Sequence, residues 1–308
     1  MNNNPGTMFR RLFGPMLIYW LISFAGQFIA EIVLLYPQIA EMTSSILTSQ
    51  TVTEQEMLNA FTEYAGTVLD TALKYQAQIL TVGALCTIPF TVYLFMKDRK
   101  MERQFNLPTN KKADTPEYLK IIGFGISICI GLNCLMFMTN IALLSARYQE
   151  TSEALYSSGI LTEIICLGII VPFAEEMIFR GVIFKRFRQN ASFMRAAVFS
   201  TALFSLSHGN IVQIIYTVIL GMFLAYVYEK FGSFKAPLLL HMTVNVTSVI
   251  VTAAGGFNWM LADILRMAVI TVVCAFVGSV MYVSIQKIDE KPENIQEPPQ
   301  NENPTNTF

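Results

Sequence analysis

Long apolar runs separated by short polar breaks dominate the chain. Runs of helix length fall at about 15–36, 77–96, 120–145, 160–184, 196–209, 211–228, 236–254 and 262–285. A helix needs about 20 mostly apolar residues to cross a bilayer. Run 196–209 is too short for a comfortable crossing and is expected to be tilted or buried among its neighbours. The pattern predicts an all-α, polytopic membrane helical bundle with eight transmembrane helices.

Two segments break this pattern. Residues 38–76 read as a long external loop. Within it Thr53 and Glu56 have capping-box spacing. Met57, Phe61, Tyr64, Ala65, Val68, Leu69 and Ala72 then recur at helical spacing, which predicts an amphipathic helix lying on the outer surface or extending the second span. The stretch 286–308 is rich in Pro, Asn and Glu and is expected to be a disordered cytoplasmic tail.

Charge gives the runs a direction. With an N-in, C-in arrangement, 17 of the 21 Lys and Arg fall in cytoplasmic segments, from Arg10 and Arg11 through Lys97–Arg103 and Lys185–Arg188 to Lys287 and Lys291. Lys74 and Arg147 fall outside, and Arg180 and Arg266 fall within spans. Such an excess of basic residues on one side marks the cytoplasmic loops. The first run follows a basic start and lacks a small-residue cleavage site, so it reads as an uncleaved span rather than a signal peptide.

Composition agrees. The 308 residues are 53% hydrophobic and 14% charged, against about 25% charged in soluble domains. A net charge of -1 leaves no basic footprint for nucleic acid. Cys86, Cys129, Cys134, Cys166 and Cys274 all lie in apolar runs without a CxxC pair, so they read as small buried hydrophobes, not as a disulfide framework or thiolate metal site.

The polar exceptions inside apolar runs carry the candidate chemistry, because ionisable groups are costly in a membrane and need a partner or a water-filled cavity. The fourth run contains Glu175, Glu176 and Arg180, and the chain's two histidines, His208 and His241, lie in the fifth and seventh. Glu176 and Arg180 are one turn apart and can pair. Glu175 is rotated by about 100° and is expected to face a cavity. His241 and Asn245 share a face, with Thr243, Thr247 and Ser248 nearby favouring close helix packing. Each motif alone also reads as a helix-packing network.

Together they suit hydrolysis of an acyl bond, most plausibly a peptide bond. A carboxylate and an imidazole can activate water, and a second imidazole with an amide can donate to an oxyanion. Glu175, His208 and His241 could equally supply three zinc ligands with an open fourth position.

Glu175-Glu176-x-x-x-Arg180, Phe204-x-x-x-His208 and His241-x-x-x-Asn245 resemble the three signature motifs of the CPBP intramembrane proteases, the CAAX-prenyl-endopeptidase and bacteriocin-processing (Abi) family. The resemblance covers roughly residues 160–250. It implies a catalytic helical core over 160–285, preceded by N-terminal spans 1–3 with their external segment over 1–159. It implies a cavity open to the cytoplasm, Glu175 and His208 activating water, and His241 and Asn245 holding the oxyanion, with Glu176, Arg180 and Phe204 in support. Metal-dependent (zinc) and glutamate-dependent forms both stay open.

The expected substrate is a membrane-embedded or lipidated peptide or protein, and the expected location is the plasma membrane of a prokaryote. A non-catalytic immunity or scaffold protein is the alternative. An ion-coupled transporter fits less well, since the halves show no symmetry or paired broken helices. HExxH, GxGD and GxSG motifs are absent.

Overall fold

The computed structural model describes residues 5–48, 53–107, 109–141 and 145–288. Among them the regular structure is helical throughout: α1 (Pro5–Thr48), α2 (Glu54–Lys74), α3 (Gln76–Gln104), α4 (Tyr118–Met138), α5 (Ala146–Leu155), α6 (Ile160–Arg188), α7 (Phe193–Leu206), α8 (Ile211–Phe231), α9 (Lys235–Ala253), α10 (Gly256–Leu261) and α11 (Ile264–Gln286). The protein is an all-α polytopic bundle. Most of the expected tail, 289–308, lies outside the described residues.

Six helices among the described residues are long and apolar enough to cross a membrane: Arg10–Ser44, Gln76–Gln104, Thr115–Met138, Ile211–Phe231, Lys235–Ala253 and Ile264–Gln286. The fourth run of the sequence, α6, becomes a seventh if it is counted with α5, from which it bends by 107°. The fifth run is the 14-residue helix α7, about 21 Å long at 1.5 Å per residue. It falls short of the hydrocarbon thickness, as its length predicted.

The N-terminal region differs most from the expected layout. Helix α1 does not end near residue 36. It continues through Pro37 to Thr48, so 38–48 is helix rather than loop. Side-chain hydroxyls of Thr43 and Ser44 bond back to the carbonyls of Ile39 and Glu41 in this extension. The capping box at α2 is present, with Glu56 N–H donating to Thr53 Oγ1 and Thr53 N–H donating to Glu56 Oε2. Tyr75 alone interrupts the passage from α2 into α3, and its amide and carbonyl still join the two helices' hydrogen bonding. Helix α2 therefore extends the second span, and it buries none of its residues.

Two π-helical segments, Ile164–Ile170 and Phe179–Phe184, interrupt α6. Pro172 explains the first. Proline lacks an amide hydrogen and its ring crowds the preceding turn. The turn ahead of it widens, so that Val171 N–H reaches Cys166 O, five residues back. In that register the partner of the Leu167 carbonyl would be Pro172, which has nothing to donate.

Packing inside a bilayer is driven by close contact rather than by exclusion of water. Small residues accordingly sit where helices meet. A Cβ on Gly168 would lie 2.7 Å from Val246, and one on Gly125 would lie 2.9 Å from Thr243. These two positions let α6 and α4 press against α9. At the basic end, Asp98 and Glu102 of α3 pair with Arg186 and Lys185 of α6, so part of the basic cluster expected there is neutralised within the fold.

Candidate active site

Glu175 and Glu176 occupy the α-helical middle of α6, Val171–Ile178, between the two π segments, and Arg180 lies in the second. Glu176 Oε1 accepts from Arg180 Nη1 at 3.0 Å, and both side chains are fully buried. This is the one-turn pair expected from the sequence. Arg180 Nη2 also donates to the Gly221 carbonyl at 3.2 Å. Its guanidinium lies 4.5 Å from the centre of the Phe204 ring. A buried arginine with these contacts is compensated by a carboxylate, a carbonyl dipole and an aromatic face.

His241 stands between the two glutamates. Its Nδ1 lies 2.9 Å from Glu176 Oε1. Its Nε2 lies 3.7 Å from Glu175 Oε2, beyond direct hydrogen-bond reach. Glu175 keeps 18% of its side chain accessible, whereas Glu176 keeps none. Glu176 is thus locked against its partners, while Glu175 keeps part of its surface accessible.

His208 follows the end of α7, in the turn capped by Asn210 at the start of α8. Its Nδ1 lies 3.0 Å from the Phe204 carbonyl. A carbonyl only accepts, so Nδ1 carries the hydrogen, and in the neutral ring Nε2 keeps its lone pair. His208 lies within electrostatic range of Glu175, though no hydrogen bond joins them directly. Phe204 is the hub, its ring meeting Phe179, His208 and His241 edge-on at 5.2, 5.0 and 5.6 Å.

Asn245 is one turn beyond His241 on α9, and its Nδ2 donates to the Leu167 carbonyl at 2.9 Å. That is the carbonyl left without a backbone partner by Pro172. One amide hydrogen of Asn245 is thus committed to the π segment, and the second remains free.

Among the described residues, the buried polar atoms without a protein hydrogen-bond partner include Glu176 Oε2, Arg180 Nε and the hydroxyls of Ser200, Thr201 and Ser205. Thr201 Oγ1 and Arg180 Nη2 both come within about 3 Å of the position a Gly221 Cβ would take. Polar atoms of this kind usually find a bonding partner, so this interior suits water or the polar backbone of a bound peptide.

The three candidate zinc ligands, Glu175, His208 and His241, do not converge on a common centre. Among the described residues, no three His, Cys, Asp or Glu side chains do.

Tyr19 of α1 escaped the sequence reading. It is 7% exposed, meets Phe179 edge-on at 6.1 Å, and lies within electrostatic range of both Glu175 and Glu176. The first span is therefore a wall of the site, and the i, i+3 placement of Met16 and Tyr19 was the available signal. Glu163 was also missed, and its role is structural. Its carboxylate accepts from the amides of Ser158 and Gly159 at 3.1 and 3.0 Å and caps the start of α6.

A half-buried carboxylate, a locked carboxylate–arginine pair and two imidazoles thus sit within the apolar helices of an integral, multi-pass membrane protein. Residues 157–247, which include all three motifs, match the family model described as Type II CAAX prenyl endopeptidase Rce1-like. The resemblance drawn from the motifs is thereby borne out, and this segment is CAAX-protease-like.

The chain is 26% identical over 106 residues to "Putative membrane peptidase YdiL" of Bacillus subtilis (strain 168), covering 34% of this chain and 43% of that protein. It is 33% identical over 96 residues to "UPF0177 protein YxdF" of Lactococcus lactis subsp. lactis (strain IL1403), covering 31% and 52%. The chain thus spans about half the length, or less, of these relatives. No solved structure matches it significantly.

Proposed function

We propose that the protein is an intramembrane endopeptidase that hydrolyses a peptide bond in a hydrophobic or lipidated, membrane-embedded substrate. The observation that carries this reading is His241 held between a fully buried Glu176 at 2.9 Å and a half-buried Glu175 at 3.7 Å. A purely structural network would have no reason to leave Glu175 accessible.

Glu175 takes a proton from a water, and His208, whose Nε2 lone pair is free, orients that water or shares the proton. The water oxygen attacks the scissile carbonyl carbon and the carbonyl oxygen becomes an oxyanion. His241 donates to that oxyanion through Nε2. With Nδ1 turned to Glu176, donation from Nε2 uses the ring in the form that carries a hydrogen on both nitrogens. The free amide hydrogen of Asn245 is the second donor. As the tetrahedral intermediate collapses, Glu175 returns its proton to the leaving amine nitrogen. Glu176 and Arg180 hold His241, and Phe204 fixes the two imidazoles relative to each other.

The concentration of basic residues supports an N-in, C-in orientation with the site reached from the cytoplasm. The bacterial relatives support a prokaryotic plasma membrane. The test compares peptides released in cells carrying the wild type with those in cells carrying Glu175→Gln, which keeps shape but removes the base. Loss of specific cleavage products at equal protein level is expected. Unchanged products would leave a binding or immunity role as the better account.

A further inference from the structure

The face of α1 turned to the site is formed by Phe13, Met16, Tyr19 and Trp20, at i, i+3, i+6 and i+7. Met16 and Tyr19 are buried, 1% and 7% exposed, while Leu17, Leu21 and Phe24 on the adjoining face are exposed at 52%, 69% and 66%. Helix α1 packs along α3 but approaches α7 mainly through side chains. Phe13 meets Phe199 edge-on at 5.5 Å. Next to Tyr19 in the chain, Trp20 Nε1 donates to Ser207 Oγ at 3.3 Å. Ser207 immediately precedes His208. It belongs to a turn whose neighbours Leu206 and Ile211 expose 66% and 58% of their surface. Because α7 is only 14 residues long, this turn lies within the depth of the membrane rather than beyond it. A surface of that kind faces lipid.

We infer that the seam between α1 and α7 is the lateral entry for a hydrophobic, membrane-embedded peptide segment, with the Trp20–Ser207 hydrogen bond as its latch. This deepens the peptidase reading and rests on it for the purpose of the entry, though not for its existence. The occupant follows from the surroundings. Both sides of the seam carry exposed apolar side chains, and Ser207 leads directly to His208, which lies within electrostatic range of Glu175. A single exposed hydrogen bond is weak enough to open and specific enough to keep acyl chains from the site.

The test uses the full chain carrying Glu175→Gln and Cys86→Ser in phosphatidylcholine nanodiscs. They also hold a single-span leucine–alanine peptide with a mid-span diazirine. Photo-adducts on the buried side chains Met16 and Tyr19 are expected. Ser207→Ala should raise them about threefold, as loss of one exposed hydrogen bond allows. Trp20→Cys/Ser207→Cys bridged by a short bis-maleimide should reduce them to background, while the unbridged double variant retains them. Adducts absent from Met16 and Tyr19, or unaffected by the bridge, would overturn the entry route. A parallel cleavage assay with Glu175 intact separates the two readings: a peptide that forms these adducts yet is never cut leaves the entry standing and removes the peptidase.

Discussion

Arg180 and Arg186 lie six residues apart on α6 and both are buried, yet they end in different kinds of cluster. Arg186 makes a two-point contact with Asp98, at 2.6 and 3.1 Å, and gives Nη1 to the Arg11 carbonyl at 2.8 Å. Arg180 has one carboxylate oxygen and one carbonyl, and its Nε is left without a protein partner. Beside it Glu176 Oε2 is likewise unpartnered, and Glu175 and His208 Nε2 have capacity to spare. The first cluster is saturated and can only hold helices together. The second keeps unused bonding capacity, which the proposed reaction would use for its water and carbonyl oxygen.

Isosteric removal of one charge from each cluster should separate the two roles. Glu175→Gln is expected to lower peptide cleavage by about 10²- to 10⁴-fold, the usual range for losing a general base, with no change in melting temperature of the purified protein. Asp98→Asn should do the converse. It leaves Arg186 buried without its carboxylate and is expected to cost about 3–5 kcal/mol of stability, read as a lower melting temperature with cleavage per folded molecule retained. If Glu175→Gln destabilised the protein as much as Asp98→Asn, the contrast would collapse.

A smaller effect is expected at Gly221, whose carbonyl takes Arg180. A Cβ there would lie 2.8 Å from Thr201 Cγ2 and 3.1 Å from Arg180 Nη2. Gly221→Ala should cost about 1–3 kcal/mol by overpacking, and should lower cleavage as well, since it pushes on the pair that holds His241. Thermal unfolding and cleavage of the same preparation would show both.

The smallest effect lies far from either cluster, at the exposed start of α2. The hydrogen bonds from Thr53 hold the Glu56 carboxyl below its ordinary range. A lowered folded value means that the capping contribution is full above the unfolded value and fades as pH falls through the folded one. Amide exchange at the first turn of α2 should therefore quicken on acidification below about pH 4.5, and Glu56→Gln should remove that dependence.

Much of this contrast was legible in the sequence and part was not. The Glu176–Arg180 pairing, the outward turn of Glu175 and the shared face of His241 and Asn245 follow from 3.6-residue periodicity alone. So does the capping box at Thr53. Periodicity says nothing about distances between helices, so the position of His241 between the two glutamates had to come from the fold. The extension of α1 through Pro37 was hidden because proline reads as a helix end. The role of Asn245 toward Leu167 depends on a π segment, which has no hydropathy signature. Tyr19 carried only its i, i+3 placement with Met16, which marks a shared face but not that this face meets a site formed more than 150 residues later.

The π segment ahead of Pro172 also bears on which length changes this gene could survive. In an ordinary helix, losing one residue turns everything beyond it by about 100°, which in α6 would swing Glu175 and Glu176 out of place together. Within Ile164–Ile170 the helix already accommodates a surplus residue in its widened turn. A single-residue deletion there should be taken up by the widened turn and leave both glutamates near their places, while the same deletion between Glu176 and the end of Val171–Ile178 should abolish the site. Insertions and deletions in relatives of this chain are expected to collect at that turn.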